Sequence, residues 1–171
     1  MVVQIPPLHS LIWSFVSGLD PARPLVADYG SRLFRLGRED AYVVQVVHTN
    51  AGFLGESGQI GHADFCVNGG RMQPGCKGHL MRVARCSHFM SACYFSASVS
   101  KRLRIVGVPC DSSCPKQDRW GIRPGGRPLK LGDDVPDSLV FNYLVTMYIL
   151  MHVARGMYCV SLDHQQNCPF D

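Results

Sequence analysis

Residues 40–49, Asp-Ala-Tyr-Val-Val-Gln-Val-Val-His-Thr, constrain the fold more than any other stretch. The run is β-branched, apolar and uninterrupted, so it reads as a strand covered on both faces rather than one half-exposed to water. Strands of that kind belong to parallel sheets sandwiched between helices. Residues 11–17, a short strand near 62–66, the run Leu-Arg-Ile-Val-Gly-Val-Pro-Cys at 103–110 and the run Met-Tyr-Cys-Val-Ser-Leu-Asp at 157–163 supply further strands. Residues 87–102, opened by a serine, carry apolar side chains at helical spacing and predict a helix. Asn68-Gly69-Gly70 marks a turn. The expectation is an α/β chain with a mostly parallel sheet.

Chemistry in such sheets collects in the loops past the carboxyl ends of strands. Asp20 follows one predicted strand, and His88 stands where a helix is expected to open. A carboxylate that orients a histidine and supports its positive charge forms two thirds of a nucleophile–base–orienter set. Asp20 precedes His88, as in the order Ser, Asp, His of α/β-hydrolases.

Eight cysteines in 171 residues point to disulfides and an oxidising compartment. The first seventeen residues do not read as a signal peptide: they hold no Lys or Arg, and Pro6 and Pro7 interrupt them. A net charge of +4 falls short of a nucleic-acid-binding signature. Lys101, Arg102 and Arg104 are the densest basic cluster and read as a solvated element end. Zinc held by Cys76, Cys86, His88 and Cys93 is the competing chemistry, but the paired short Cys-x-x-Cys knuckles of structural zinc sites are missing. No metal or other cofactor is expected.

Gly-Leu-Asp-Pro-Ala-Arg-Pro (18–24), Arg-Glu-Asp-Ala-Tyr-Val-Val-Gln-Val-Val-His-Thr-Asn (38–50), the stretch 60–76 ending Asn-Gly-Gly-Arg-Met-Gln-Pro-Gly-Cys, and Cys-Ser-His-Phe-Met-Ser-Ala-Cys-Tyr-Phe (86–95) together resemble the pancreatic-lipase family. The likeness is nearest to its insect members and its phospholipase A1 branch. It implies the C-terminal part of an α/β-hydrolase domain. It also implies a carboxylic ester hydrolase of lipids, cleaving a triglyceride or a phospholipid sn-1 ester by a Ser-Asp-His mechanism, with a lipid or lipid–water interface as partner and secretion as its setting. Asp20 then takes the part of the triad acid and His88 that of the base.

By the same resemblance Cys76–Cys86 is the disulfide at the base of the lid loop, and its nine enclosed residues suit the phospholipase branch. Cys110–Cys114 is expected from the family's short proline-flanked loop. Cys159–Cys168 is expected to staple the tail, and Cys66–Cys93 is left by elimination.

The serine of such a triad sits on a Gly-x-Ser-x-Gly elbow ahead of Gly-Leu-Asp-Pro. No such motif occurs in this chain, and Ser10 lacks the flanking glycines. The chain is therefore expected to lack the elbow and the early strands and to be an inactive fragment or isoform. The alternative is a non-enzymatic lipase-like binding protein comparable to insect yolk proteins. Residues 1–17 read as a leader outside the family, and 18–171 as a partial domain. Within that domain 139–153, fifteen largely apolar residues, read as an insertion. Without the early strands, residues 11–17 are expected to present a bare apolar edge.

Overall fold

The computed structural model describes residues 2–5, 13–23, 35–100, 102–110, 113–114, 127–132 and 156–162. Seven strands form one mixed sheet: β1 (Val2–Ile5), β2 (Trp13–Leu19), β3 (Ala41–His48), β4 (Ala63–Val67), β5 (Val106–Pro109), β6 (Leu129–Lys130) and β7 (Gly156–Val160). Their spatial order is β1-β2-β3-β4-β7-β5-β6. Strands β2, β3, β4 and β7 run parallel, and they are the buried centre. The valines of β3 explain this: Val44, Val46 and Val47 are fully covered. The suspected insertion at 139–153 lies outside the described residues.

Two expectations change. The outer edge of β2 is not bare, because β1 pairs with it antiparallel from Val2↔Gly18 to Ile5↔Phe15 and takes up its ladder groups. Strand β2 also runs unbroken across position 17. The helix α1 spans Leu80–Val99 and so starts seven residues before Ser87. Ser87 is no cap: its hydroxyl is buried and accepts the Gln73 N–H at 2.8 Å.

Helix α1 lays Met90 and Tyr94 on Phe65, Val67, Tyr158 and Val160 of β4 and β7. Phe65 and Tyr158 stack with ring centroids 5.4 Å apart. Past β4 the backbone takes three consecutive left-handed residues, Asn68 (φ 49°), Gly69 (φ 80°) and Gly70 (φ 67°). Only Asn and Gly enter that region cheaply, which accounts for the Asn-Gly-Gly run.

The disulfides follow the strand order. Cys76 and Cys86 are bonded, but the other bridges are Cys66–Cys114 and Cys110–Cys159. Cys110–Cys114, Cys159–Cys168 and Cys66–Cys93 are therefore corrected. Cys93 is disulfide-bonded as well, but not to Cys66. The reason is that β7 inserts between β4 and β5. That insertion sets Cys66 beside Cys159 in register and hydrogen-bonds the Cys110 N–H to the Met157 carbonyl at 2.9 Å. Cys66, Cys110, Cys114 and Cys159 so become one buried cluster, and bridges close between elements rather than along short loops. Among the described residues no helix is long and apolar enough to cross a membrane.

Candidate active site

Asp20 lies one residue beyond β2. The parallel register Leu19↔Val47 places it level with the end of β3, so the loop after β3 faces its carboxylate. Its backbone is left-handed at φ 46°, uncommon outside Gly, and the Asp20 N–H is tied to the Val47 carbonyl at 2.8 Å. The side chain is fully buried. Oδ1 accepts the Thr49 and Asn50 amides, each at 2.9 Å, and Oδ2 accepts His88 Nδ1 at 2.7 Å. The carboxylate therefore only accepts hydrogen bonds, which suits its ionised form. Gly55 closes over it: a Cβ there would stand 2.6 Å from Asp20 Cγ.

His88 is inside α1, not at its start as the sequence suggests. Position 88 reaches a carboxylate 68 residues away in the chain because α1 packs across the sheet above the ends of β2 and β3. With Nδ1 donating to Asp20, a neutral imidazole carries its lone pair on Nε2. No described residue bonds Nε2, and the side chain is 25% exposed. The Phe89 ring meets the imidazole edge-on at 5.8 Å. The geometry is that of a base whose active nitrogen faces outward and whose tautomer is held from behind.

Neither nearby serine of α1 serves as its nucleophile. Ser87 is engaged by Gln73, and Ser91 donates to the His88 carbonyl at 2.7 Å. Ser10 lies outside the described residues. The imagined zinc set has no thiolate to offer, since Cys76, Cys86 and Cys93 are all in disulfides.

Several supports were not foreseen from sequence. Buried Gln73 donates to the carbonyls of Thr49, Val67 and Arg71 at 3.1, 2.9 and 3.0 Å and accepts from Asn68 and Tyr94. It locks the loop that holds Asp20 to the loop after β4 and to α1. Its only signal in the sequence is its place in Met-Gln-Pro-Gly-Cys, where nothing marks a polar residue as buried. Asn50 Oδ1 accepts the Leu54 N–H at 3.0 Å and so shapes the same loop. Beneath lies a second pair: His48 Nε2 meets Asp64 Oδ1 at 2.9 Å, and His48 Nδ1 meets the Glu56 carbonyl at 3.0 Å. Burial by itself would lower the His48 pKa. The hydrogen bond and charge of Asp64, the charge of Asp20 and the Glu56 carbonyl outweigh it, and the pKa is raised. His62 is structural, its Nδ1 accepting the Val44 N–H at 3.0 Å.

Residues 14–118, more than half the chain, match the family model described as Lipase. The chain is 39% identical over 100 residues to lipase member H of Mus musculus, covering 57% of this chain and 22% of that protein. It is 36% identical over 112 residues to phospholipase A1 of Vespula squamosa, covering 62% of this chain and 37% of that protein. Over 118 residues it is 34% identical to pancreatic lipase-related protein 2 of Myocastor coypus, covering 57% and 25% of the two. The chain thus spans between about a fifth and two fifths of these relatives. A mixed sheet with a parallel centre, a carboxylate past one strand and a helix-borne histidine held by it accompany a match that covers β3, β4, β5, α1 and nearly all of β2, and the chain belongs to the lipase family.

Proposed function

We propose that Asp20 and His88 are the orienter and general base of a serine-type carboxylic ester hydrolase acting on lipids. The observation that carries this is the 2.7 Å contact of a buried carboxylate with Nδ1 of a histidine whose Nε2 has no described partner. A hydroxyl brought to Nε2 would pass its proton there as its oxygen attacks an ester carbonyl. The resulting imidazolium is stabilised by Asp20, and the proton is then handed to the leaving alkoxide. Among lipid esters the reading favours a phospholipid sn-1 ester. The support is the short Cys76–Cys86 bridge and the likeness to a relative named phospholipase A1. Three disulfides among the described residues support secretion into an oxidising medium.

The chain carries no Gly-x-Ser-x-Gly elbow, so by itself it supplies base and orienter only. Loss of the nucleophile costs a triad enzyme about 10⁶-fold in turnover. On a soluble chromogenic ester the chain and its His88→Ala variant are expected to stay at background alike. Fusing an elbow-bearing segment of a family member ahead of β2 is expected to restore hydrolysis that His88→Ala and Asp20→Asn each abolish. Hydrolysis by the fusion that survives His88→Ala would sink the assignment.

A further inference from the structure

Residues 49–56, the loop after β3, hold the Asp20 carboxylate from two sides. At the near end of the loop Thr49 and Asn50 give their amides to Oδ1. At its far end Gly55 closes over the carboxylate, and the Glu56 N–H bonds the Pro21 carbonyl at 2.8 Å. The Arg23 N–H bonds the Leu54 carbonyl at 2.8 Å as well. The far end and the segment that carries Asp20 are thus tied into one piece.

The near end is fastened by Gln73 at the Thr49 carbonyl and by the Gly70 carbonyl at the Ala51 N–H. The far end is fastened to β3 by His48, whose Nδ1 meets the Glu56 carbonyl at 3.0 Å. His48 is the last residue of β3, so the loop starts at its backbone and is closed by its side chain. That closure needs a proton on Nδ1, because the carbonyl only accepts. The other ring nitrogen faces Asp64, a stronger acceptor for being charged. When His48 gives up one proton it therefore keeps the one on Nε2. Nδ1 then turns a lone pair on a carbonyl oxygen 3.0 Å away, and the two repel.

We propose that His48 is a positioning residue for the Asp20–His88 pair: protonated, it clasps the 49–56 loop around the Asp20 carboxylate, and loss of its Nδ1 proton opens the clasp. Among the described residues the charged groups facing His48 are Asp64 on β4 and Asp20 past β2. The Glu56 carboxylate is turned to Arg35, at 3.0 Å. The His48 pKa is raised above 6.5, so release falls on the alkaline side of that value. The base then works in a window, with His88 neutral and His48 still charged. That consequence rests on the ester-hydrolase reading, but the coupling of the two histidines needs no turnover.

The test is NMR of the histidine ring nitrogens in the isotopically labelled full chain across pH, which reads which nitrogen carries the proton. Once neutral, His88 is expected to hold its proton on Nδ1 alone while His48 is charged. As His48 titrates, an Nε2–H form of His88 should grow in with the same midpoint. His48→Asn puts an uncharged amide N–H where Nδ1 was, and should keep the His88 proton on Nδ1 and abolish that pH dependence. His48→Gln puts the amide N–H where Nε2 was, leaves the Glu56 carbonyl without its donor, and should show the mixed forms from the outset. A merely structural role predicts the opposite order, since Gln keeps a partner for buried Asp64 and Asn does not. If His48→Asn fails to fold, the parent's titration decides alone. A His88 tautomer that ignores the titration of His48, or one left unchanged by His48→Gln, would overturn the proposal. Equal disturbance by both amides would do the same, by making His48 a packing residue.

Discussion

His88 meets Asp20 at 2.7 Å and His48 meets Asp64 at 2.9 Å, so the described residues hold two histidine–carboxylate pairs of nearly equal length. They differ in what the second ring nitrogen does. His48 Nδ1 faces a carbonyl, which only accepts, and Nε2 faces a carboxylate. Both nitrogens are therefore donors, and His48 is an imidazolium sealed in the interior at 0% exposure. Asp64 is equally committed, accepting also the Ile60 and Gly61 amides at 3.1 and 3.0 Å. His88 spends one nitrogen on Asp20 and keeps the other toward solvent. The same two residue types thus make a closed clamp in one place and an open base in the other. On the proposed function, the difference between them is one unspent ring nitrogen.

The largest expected effect breaks the closed pair. His48→Ala leaves Asp64 as a buried carboxylate without its cation, at a cost of about 3–5 kcal/mol. His88→Ala also takes a partner from a buried carboxylate, Asp20 Oδ2, but the side chain it removes is already partly solvated, and it should cost less, about 1–3 kcal/mol. Urea midpoints of the two variants check this, and equal losses would erase the distinction drawn above. Next comes Gly55→Val, which drives a side chain into the Asp20 carboxylate. It should cost about 1–3 kcal/mol and displace Asp20 from His88, seen as loss of the downfield Nδ1 proton signal by NMR.

The third prediction sharpens the charge state of His48. Its pKa is raised in the fold above the ordinary 6.5, so the folded state holds the proton more tightly than the unfolded chain does. The resulting stability is complete below pH 6.5 and drains away as pH rises through the folded value. Denaturation curves across that range should show the decline, and His48→Gln should flatten it. A rise in stability with pH that His48→Gln abolishes would mean that His48 is neutral in the fold. The smallest effect concerns a buried polar atom with no partner at all among the described residues, Ser17 Oγ. Ser17→Ala should be neutral or stabilising within about 1 kcal/mol, measured by thermal melting.

Much of the frame is legible in the residues. The valine run appears as Ala41–His48, the Asn-Gly-Gly turn falls at the left-handed residues, and 62–66 appears as Ala63–Val67. These elements report themselves through side-chain period and local backbone preference, which need no distant partner. The start of α1 does not, since the N-cap His79 makes no side-chain capping bond and the true first turn, Leu80-Met81-Arg82, looks like a loop closed by a disulfide. Ser87 misleads for the opposite reason: it resembles a cap but sits in the core.

Asp20 and His88 are recognisable from short motifs, because each motif is local. That they touch is decided in three dimensions, by the Leu19↔Val47 register and by α1 packing over the strand ends. The amides of Thr49 and Asn50 carry no signal in the sequence, since every residue has one and only placement makes it a ligand. The disulfides divide along the same line. Cys76–Cys86 encloses only nine residues, and its resemblance sufficed. Cys66–Cys114 and Cys110–Cys159 span 48 and 49 residues and exist because β7 lies between β4 and β5. Sequence alone determined where five of the seven strands and the Asp20 and His88 motifs are, through periodicity and motif, whereas β1 and β6 carried no such signal. Which of them meet was left to strand order and burial, because those contacts depend on how distant segments share one core.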